Sequence, residues 1–464
     1  MVRVRFAPSP TGKLHVGNVR TALANILYAR KHGGAFVVRM EDTDMGREVA
    51  NAEQQILDDL AWLGMTPDED PIKGGDFAPY RTNERTIRGD YDKALEKLFA
   101  DGRAYECFVT KTELDLMRKV QTSSGQPPHY DNRHRDLSPA EKEAFRAQGL
   151  EPVIRFKLND ATIEWHDMVR GDVRYEAKFL GGDPVIIRSN GVPIFALAGA
   201  VDDINQEITH VVRGEDHVTN TAIQIQIFEA LGGKVPVMAH MPMLLDSDGG
   251  KLSKRLDSLS VQQLKADGYL PRSILTYMSS LGFSAVPEVG TVDELAENFD
   301  FTKMGRSSVR FDTIQLNRVN AMEVRSSSYA DINAYLEGFL NSDKPKAELS
   351  TFWDAVKGNI ETLSELQGQY DLCYAQVGAE ILETDDVEYI QVAAETLPQG
   401  VYSADTWNDW VSVLKVQTGR KGKQLFMPLR IALTGEKYGP EMASLLSVMG
   451  EEVARERLNH ALGK

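Results

Sequence analysis

The chain is poor in cysteine and has no long apolar run. Cys107 and Cys373 are the only cysteines among 464 residues, and they stand far apart, so a disulfide framework is excluded and a reducing compartment is favoured. No apolar run approaches the roughly 20 residues that a helix needs to cross a bilayer. Arginine alternates with apolar residues in Val2 to Phe6, which predicts a strand rather than a signal peptide. We therefore expect a cytoplasmic protein without membrane contact.

Positive charge is also in short supply. The chain has 52 lysines and arginines against 68 aspartates and glutamates, a net charge of -16. Bulk attraction of nucleic acid is thereby excluded, and any nucleic-acid surface has to be a local basic patch. The negative net charge is explained as well by the ordinary solubility of a cytosolic protein as by a functional role. The acidic C-terminal part contains one compact basic segment, Lys415 to Lys423, which is either a solvated connection between helices or a contact for phosphates and bases.

The order of predicted elements indicates an α/β protein with additional parts. At roughly 150 residues per domain, the length predicts two to four domains. Strand and helix patterns alternate near the start, which favours a parallel sheet with ligands at the carboxyl ends of its strands. The pattern changes between about Tyr80 and Gly181, resumes at Val185, and becomes largely helical after Lys251. The first predicted elements are the strands Val2–Ala7 and Ala35–Met40 and the helices Val19–Lys31 and Ala52–Leu63.

A turn and a helix start follow the first predicted strand. The residues run Arg5-Phe6-Ala7-Pro8-Ser9-Pro10-Thr11-Gly12 and then His15-Val16-Gly17-Asn18. A helix N-terminus exposes unpaired N–H groups and partial positive charge, so a helix starting near Gly17 can seat phosphate oxygens. Gly17 lacks a Cβ and lets a base or sugar approach closely. His15 is either a structural turn residue or a hydrogen-bond donor to a phosphate, and its place between strand and helix favours the donor.

A second basic segment lies beyond the middle of the chain, Lys251-Leu252-Ser253-Lys254-Arg255, after the flexible stretch Asp246 to Gly250. Three cations beside glycines fit either a solvated loop or a mobile clamp that neutralises a pentavalent phosphorus and the departing pyrophosphate. Lysine suits a clamp because it is a compact charge on a flexible stem. Together the two segments predict an enzyme that activates a carboxylate with ATP.

The two segments also resemble the HIGH and KMSKS signatures of class I aminoacyl-tRNA synthetases. Within that class the chain resembles the bacterial glutamyl-tRNA synthetases, and the resemblance covers essentially the whole sequence. It extends through Arg39 to Asp44 (RMEDTD), Val201 to Asp203 (VDD), His210 to Asn220 (HVVRGEDHVTN) and Phe426 to Arg430 (FMPLR).

The resemblance implies an α/β fold: a Rossmann-like parallel-sheet catalytic domain with an inserted α+β domain, followed by all-α C-terminal domains. The expected catalytic domain comprises residues 1–80 and 182–250, and the inserted acceptor-binding domain comprises residues 81–181. A helical domain that carries KLSKR and contacts the tRNA stem is expected at 251–320, and an anticodon-binding domain at 321–464.

The implied reaction is the ATP-dependent attachment of L-glutamate to the 3′ end of tRNA(Glu), through a glutamyl-adenylate. Mg²⁺ accompanies ATP, bound tRNA is needed for efficient activation, tRNA(Gln) stays open as a second acceptor, and a monomer is expected. Two alternatives remain. A relative that glutamylates a modified tRNA base would lack the long chain after Arg255, and a non-catalytic paralogue would not need intact His15, Lys251 and Lys254.

Individual roles follow from the resemblance. Arg5 pairs with the side-chain carboxylate of glutamate, Glu41 holds the α-ammonium, and Arg213 faces a carboxylate or phosphate. The structural alternatives are a tether from Arg5 to Glu41 or Asp42, a capping role for Glu41, and an ion pair of Arg213 with Glu215 or Asp216. The expected sets are: catalytic, His15, Lys251 and Lys254; for ATP, Pro8, Ser9, Pro10, Thr11, Gly12, His15, Gly17, Asn18, Leu252, Ser253, Lys254 and Arg255; for glutamate, Arg5, Ala7, Ser9, Glu41, Phe195 and Arg213; for tRNA, Arg420, Lys421 and Lys423.

The sequence departs from the family pattern at three places. Asn18 replaces the second histidine of HIGH, so His15 is left as the imidazole donor. Phe195 stands where relatives commonly place tyrosine, which removes a hydroxyl from the expected pocket. Some relatives also carry zinc on Cys-x-Cys followed by Cys-x-His, and the matching positions here are Cys107, Val109, His134 and Asp136.

We predict that the protein carries no structural zinc. Valine at position 109 supplies no ligand, and tetrahedral zinc needs four. Elemental analysis of the purified protein should find no stoichiometric metal after dialysis. One zinc per chain would contradict this prediction.

Overall fold

The chain folds into two compact units. The computed structural model describes residues 1–42, 51–250, 252, 259–375 and 384–464. The first unit comprises residues 1–263 and 275–312, and the second comprises residues 264–274 and 313–464. Among the described residues, no helix is long and apolar enough to cross a membrane.

Strands and helices alternate through the first unit. They are β1 (Arg3–Phe6), α1 (Val16–Lys31), β2 (Ala35–Val38), α2 (Ala52–Trp62), α3 (Thr82–Arg88), α4 (Asp90–Ala100), β3 (Ala104–Cys107), α5 (Lys111–Ser123), α6 (Pro139–Ala147), β4 (Val153–Phe156), β5 (Thr162–Asp167), β6 (Gly171–Glu176), β7 (Val185–Ile187), α7 (Phe195–Asn205), β8 (His210–Gly214), α8 (Val218–Leu231), β9 (Val237–Met241) and β10 (Leu244–Leu245). Two helices, α9 (Val261–Ala266) and α10 (Pro271–Ser280), are divided between the units, and α11 (Val292–Asn298) and β11 (Val309–Arg310) return to the first.

Two parallel strand pairs form the centre of the first unit. Strand β1 pairs with β2, β8 pairs with β9, and both pairs are parallel. Thr209, just before β8, joins the pairs, because its N–H donates to the carbonyl of Arg3 (2.9 Å) and its Oγ1 accepts from the N–H of Arg3 (2.8 Å). All residues of β1 and β2 are buried, as expected for parallel strands covered by helices on both faces.

Strand pairing in the middle of the unit differs from the sequence-based expectation. Strand β7 was expected to resume the parallel pattern, but it pairs antiparallel with β4 in a three-stranded sheet with β3. Strands β5 and β6 form a hairpin within residues 81–181, yet β5 continues the parallel sheet through Asp167, which pairs with Met238 of β9. Short apolar runs predict a strand but not its partner, so the sequence does not reveal these pairings.

The second unit is helical. Its helices are α12 (Thr313–Ser326), α13 (Tyr329–Ile332), α14 (Lys346–Val356), α15 (Leu366–Tyr374), α16 (Thr384–Glu395), α17 (Ala404–Thr418), α18 (Lys423–Thr434) and α19 (Met442–Ala461). Its core includes Trp353 and Trp410. Arg457 is buried there, and its guanidinium donates to two carbonyls at 2.6 Å each. The carbonyl of Leu433 lies in the last turn of α18, and the carbonyl of Ala375 directly follows α15. A cation at helix C-termini satisfies carbonyls that the helix leaves unpaired.

Candidate active site

The carboxyl ends of β1, β2, β8 and β9 meet at one cavity of about 580 Å³ in the first unit. Its volume suits a small-molecule site. The residues that follow β1 and β2, the last residues of β8 and β9, and the start of α1 all contribute side chains. This is the edge at which open α/β sheets bind ligands.

His15 begins helix α1 and faces this cavity. It is the N-cap residue, and its Nδ1 accepts a hydrogen bond from the N–H of Gly17 (3.1 Å). Burial lowers the pKa of His15 below its usual value, so the ring is neutral at pH 7. Because Nδ1 accepts, the neutral ring carries its hydrogen on Nε2. His15 therefore offers one N–H donor, as the sequence analysis expects.

Gly17 is needed for the position of this ring. A Cβ at Gly17 would lie 2.9 Å from Cε1 and 3.1 Å from Nδ1 of His15, closer than real Cβ atoms pack against a ring. The close approach that requires glycine is thus made by the neighbouring imidazole. The close approach of a base or sugar to Gly17 stays a prediction.

The backbone ties the segment around His15 to the chain that follows KLSKR. The N–H of Val16 donates to the carbonyl of Leu259 (3.0 Å), and the N–H of Val261 donates to the carbonyl of Leu14 (2.9 Å). Leu252 lines the same cavity as His15. The residues flanking 253–258 therefore lie beside the start of α1.

A buried charge cluster forms the wall below the cavity. Asp203 of α7 accepts from Arg5 Nε (3.1 Å) and from Arg39 Nη1 (2.5 Å). Arg39 Nη2 lies 3.4 Å from Oε1 of Glu41. Burial alone lowers the pKa of Arg39, but Asp203, Asp202 and Glu41 together raise it, so this guanidinium is charged. Burial raises the pKa of Glu41, opposed by Arg39 and Arg5. Arg5 is thus tied to Asp203, and among the described residues it has no hydrogen bond to Glu41 or Asp42.

Asp202 extends the cluster to the helices beneath it. It accepts from the hydroxyl of Tyr91 (2.9 Å) and lies 3.6 Å from Arg85 Nη1. Burial raises the pKa of Asp202 to about 6, against the lowering effect of Arg39 and Arg85. The adjacent acids of α7 therefore share Arg39, but Asp203 also holds Arg5, whereas Asp202 also contacts α3 and α4.

Arg213, at the carboxyl end of β8, is held by neutral groups. Its Nη2 donates to Thr221 Oγ1 (2.6 Å), and its Nε lies 3.4 Å from His240 Nε2. Nη1 is buried and has no hydrogen-bond partner among the residues that the structure describes. Burial and the charge of Arg5 lower the pKa of Arg213 to about 9. Within the described part of the chain, Arg213 does not form the ion pair with Glu215 or Asp216 that was the structural alternative to a ligand contact.

Phe195 is the first residue of α7 and lies against His217, with ring centroids 5.2 Å apart. Both side chains line the cavity, and the guanidinium carbon of Arg213 lies 6.0 Å from the centre of the Phe195 ring. This wall is aromatic, but Phe195 places no hydroxyl on it.

Most of the expected site residues line this cavity. Pro10, Thr11 and Gly12 do not. Lys251, Ser253, Lys254 and Arg255 lie outside the described residues, as do Thr43 and Asp44. The expected residues that line it are Arg5, Ala7, Pro8, Ser9, His15, Gly17, Asn18, Glu41, Phe195, Arg213 and Leu252.

Several residues that shape the site were not predicted from the sequence. Arg20 lines the cavity and donates to the carbonyls of Pro242 (2.6 Å) and Leu281 (3.1 Å). Thr221 and His240 hold Arg213, as described above. One signal could have pointed to His240: it is the polar residue in the otherwise apolar strand β9.

The expected tRNA contacts lie in the second unit. Arg420 Nη1 is 2.5 Å from Asp386 Oδ1, and the guanidinium lies over the ring of Tyr389, 4.5 Å from its centre. Lys421 and Lys423 are exposed. The basic loop therefore presents two exposed lysines, whereas Arg420 also holds helix α16.

The positions that match a zinc site in some relatives are used differently here. The thiol of Cys107 donates to the hydroxyl of Tyr130 (3.4 Å), and Nδ1 of His134 accepts from the N–H of Phe108 (3.1 Å). Cys107 and His134 are engaged, Asp136 lies 3.7 Å from Lys157 Nζ, and Val109 offers no ligand, so these residues do not fit a tetrahedral zinc. Over the described residues, no group of three or more His, Cys, Asp or Glu is arranged to hold a metal ion.

Comparisons with known proteins match the whole chain. A family model described as tRNA synthetases class I (E and Q), catalytic domain, matches residues 1–318, and one described as anticodon binding domain matches residues 328–462. Glutamate–tRNA ligase 1 of Maricaulis maris is 45% identical over 99% of both chains. Glutamate–tRNA ligase 2 of Hyphomonas neptunium is 42% identical over 98% of this chain and 99% of its own.

A solved structure shows the same likeness in three dimensions. The crystal structure of a glutamate tRNA ligase from Elizabethkingia meningosepticum, in complex with its amino acid, superposes with a TM-score of 0.88 at 29% identity, covering 100% of this chain and 99% of the other. This confirms the fold class predicted from the sequence.

We predict that Gly17→Ala slows ATP-dependent carboxylate activation by about 100-fold, the cost of displacing a reacting group by about 1 Å. The added methyl group would clash with the His15 ring and displace it. ATP–pyrophosphate exchange with glutamate and tRNA measures the rate.

Gly368→Ala is the matched control, because nothing lies within 4 Å of a Cβ there. If Gly17→Ala exchanges pyrophosphate at the rate of the unaltered protein, the position of His15 does not depend on Gly17.

Proposed function

Because the chain belongs to the class I tRNA synthetases for glutamate and glutamine, and within them to the glutamate–tRNA ligases, which attach glutamate to tRNA, we propose where its substrates bind. The cavity at the ends of β1, β2, β8 and β9 binds L-glutamate beside ATP. The expected roles of its residues are proposals that the geometry supports. The C-terminal helical unit is proposed to contact the tRNA anticodon, in line with the match over residues 328–462.

The charge pattern of the cavity carries the assignment to glutamate. Arg5 and Arg213 present guanidinium groups, and Glu41 presents a carboxylate, in the same cavity. Glutamate has one ammonium and two carboxylates, so its charges complement these three side chains. Glutamine carries an amide in place of the side-chain carboxylate, so it would form weaker hydrogen bonds with a guanidinium than the charge-assisted pair that glutamate forms.

Arg5 is the better partner for the side-chain carboxylate. Its Nε is the one guanidinium nitrogen bonded within the described residues, to Asp203, which leaves both terminal nitrogens for the ligand. Two parallel N–H donors match a carboxylate in bidentate geometry. Arg213 offers the single nitrogen Nη1 and would bind one oxygen of a carboxylate or phosphate.

Activation needs charge stabilisation more than a base. The α-carboxylate of glutamate is already anionic when it attacks the α-phosphorus of ATP, and pyrophosphate leaves. The terminal ribose hydroxyl of tRNA then attacks the glutamyl carbonyl, and a phosphate oxygen can take its proton as AMP departs. We propose that three groups neutralise the charge that develops on phosphorus: the Nε2–H of His15 and the ammonium groups of Lys251 and Lys254. ATP is expected to enter with Mg²⁺, and the nucleotide would be held by the ATP-binding residues expected from the sequence.

Further proposals concern organisation and acceptor. The domain division expected from the sequence, a monomeric state and a cytoplasmic location stay proposals, as does the absence of zinc. The acceptor is tRNA(Glu), and tRNA(Gln) is a second candidate. The exposed Lys421 and Lys423 are proposed to contact tRNA, because the acidic chain needs local cations for any nucleic-acid surface.

Lys254→Ala should lower the rate of pyrophosphate exchange by about 100-fold, as when one donor to a transition-state oxyanion is lost. The KM for glutamate should stay unchanged, because the glutamate site lies on other residues. Lys303→Ala is the control, since Lys303 is an exposed lysine of the same unit. An unchanged exchange rate for Lys254→Ala would rule out the proposed clamp.

The joint change Lys421→Ala and Lys423→Ala should raise the KM for tRNA by about tenfold through lost phosphate contacts, while the KM for ATP stays constant. Arg420 is left in place because it pairs with Asp386. Charging is measured side by side with purified tRNA(Glu) and tRNA(Gln).

The matched control replaces Lys344 and Lys346, which also lie close together in the second unit. Equal tRNA affinity in both double variants would show that the basic segment Lys415 to Lys423 is only a solvated connection between helices. Charging of tRNA(Gln) alone would contradict the proposed acceptor.

A further inference from the structure

Arg213 is fixed by a buried chain of hydrogen bonds that starts outside the cavity. Asp167 Oδ2 lies 2.5 Å from His240 Nδ1, His240 Nε2 lies 2.8 Å from Thr221 Oγ1, and Thr221 Oγ1 accepts from Arg213 Nη2 at 2.6 Å. Asp167, Thr221 and His240 have no measurable exposure, and Arg213 is 6% exposed. Solvent therefore does not compete for these bonds.

The direction of the chain follows from its two ends. Asp167 is an acceptor, so His240 donates through Nδ1 and keeps a lone pair on Nε2. The backbone N–H groups of Val169 (3.0 Å) and Arg170 (2.9 Å) hold the other oxygen of Asp167. Burial lowers the pKa of His240, so the ring is neutral. Thr221 can then donate to Nε2 while it accepts from Arg213.

The opposite tautomer of His240 would disturb Arg213. Nε of Arg213 also points at His240 Nε2, at 3.4 Å. A hydrogen on Nε2 would face the N–H of the guanidinium, and the two donors would repel each other. Asp167 therefore controls the guanidinium through the tautomer that it imposes on His240.

The chain uses two of the three guanidinium nitrogens and leaves the third for the ligand. Nε and Nη2 face His240 and Thr221, whereas Nη1 is buried without a hydrogen-bond partner in a side chain that lines the cavity. A donor held in this way loses little entropy when it binds an anion.

We propose that Asp167, His240 and Thr221 are positioning residues that orient Arg213 so that Nη1 meets a carboxylate of glutamate. The proposal rests on the proposed function of Arg213 as a glutamate ligand. It also assigns a task to the β5–β6 hairpin, whose residue Asp167 pairs with β9 and reaches the cavity through His240 and Thr221.

Thr221→Val tests the proposal, because valine keeps the shape of threonine and removes the hydroxyl that joins Arg213 to His240. The KM for glutamate in pyrophosphate exchange with tRNA present should rise about tenfold, as expected when one hydrogen bond to a charged group is lost. The kcat and the KM for ATP should change by less than about twofold, within the effect of a neutral substitution. Thr221→Ser restores the hydroxyl and should bring the KM for glutamate back.

Two further variants separate positioning from general damage. Thr276→Val removes another buried hydroxyl of the first unit, which accepts from the N–H of Gly290, and it should leave the KM for glutamate unaltered. Asp167→Asn keeps the shape of Asp167 but can turn an N–H towards His240 and reverse its tautomer. It should raise the KM for glutamate even if Thr221→Val does not fold.

Arg213→Gln distinguishes the failure of this inference from failure of the proposed function. If Arg213→Gln leaves the KM for glutamate unchanged, the ligand role of Arg213 is wrong. If Arg213→Gln raises that KM but Thr221→Val and Asp167→Asn do not, the positioning chain is wrong. A parallel loss of kcat, ATP affinity and glutamate affinity in Thr221→Val, without rescue by serine, would also overturn it.

Discussion

The site depends on one buried carboxylate, Asp203. It binds Arg5 from β1 and Arg39 from the end of β2, so it joins helix α7 to both strands of the first parallel pair. Desolvating such charges is expensive, and hydrophobic residues would hold the same elements at less cost. What the cluster provides is a fixed position for Arg5 and Glu41 before any ligand arrives. The free energy spent on burial is recovered as preorganisation when a charged substrate binds.

A second constraint joins the start of α1 to the chain that follows KLSKR. The backbone bonds of Val16 and Val261 connect the start of α1 with the chain after KLSKR, although about 245 residues separate them. Backbone bonds do not depend on side-chain identity, so they join Leu14 and Val16 to Leu259 and Val261 without using side chains. His15 adds its own precision, because the N–H of Gly17 fixes its tautomer.

The sequence predicts what local chemistry determines. Strand ends and a helix start near Gly17 follow from periodicity and the turn residues, and this is why His15 is found, whereas Arg5 and Glu41 are assigned through the family resemblance. Partners across the fold are set by tertiary packing. The antiparallel pairing of β7, the bond between Asp167 and His240, and the pairing of Arg420 with Asp386 each join residues that no local pattern relates. The family resemblance supplies roles for side chains but gives no reason for Thr221 or His240.

The placement of arginine explains how an acidic chain can serve an anionic partner. Arg5, Arg39, Arg85 and Arg213 are buried in the first unit and face carboxylates or the cavity. Their charges act at short range on a small substrate and contribute little to the field that tRNA meets at a distance, because nearby acids compensate them. Association with tRNA must then rely on exposed cations in loops, which salt screens readily. Selection of the amino acid and capture of the nucleic acid are therefore governed by separate sets of charges.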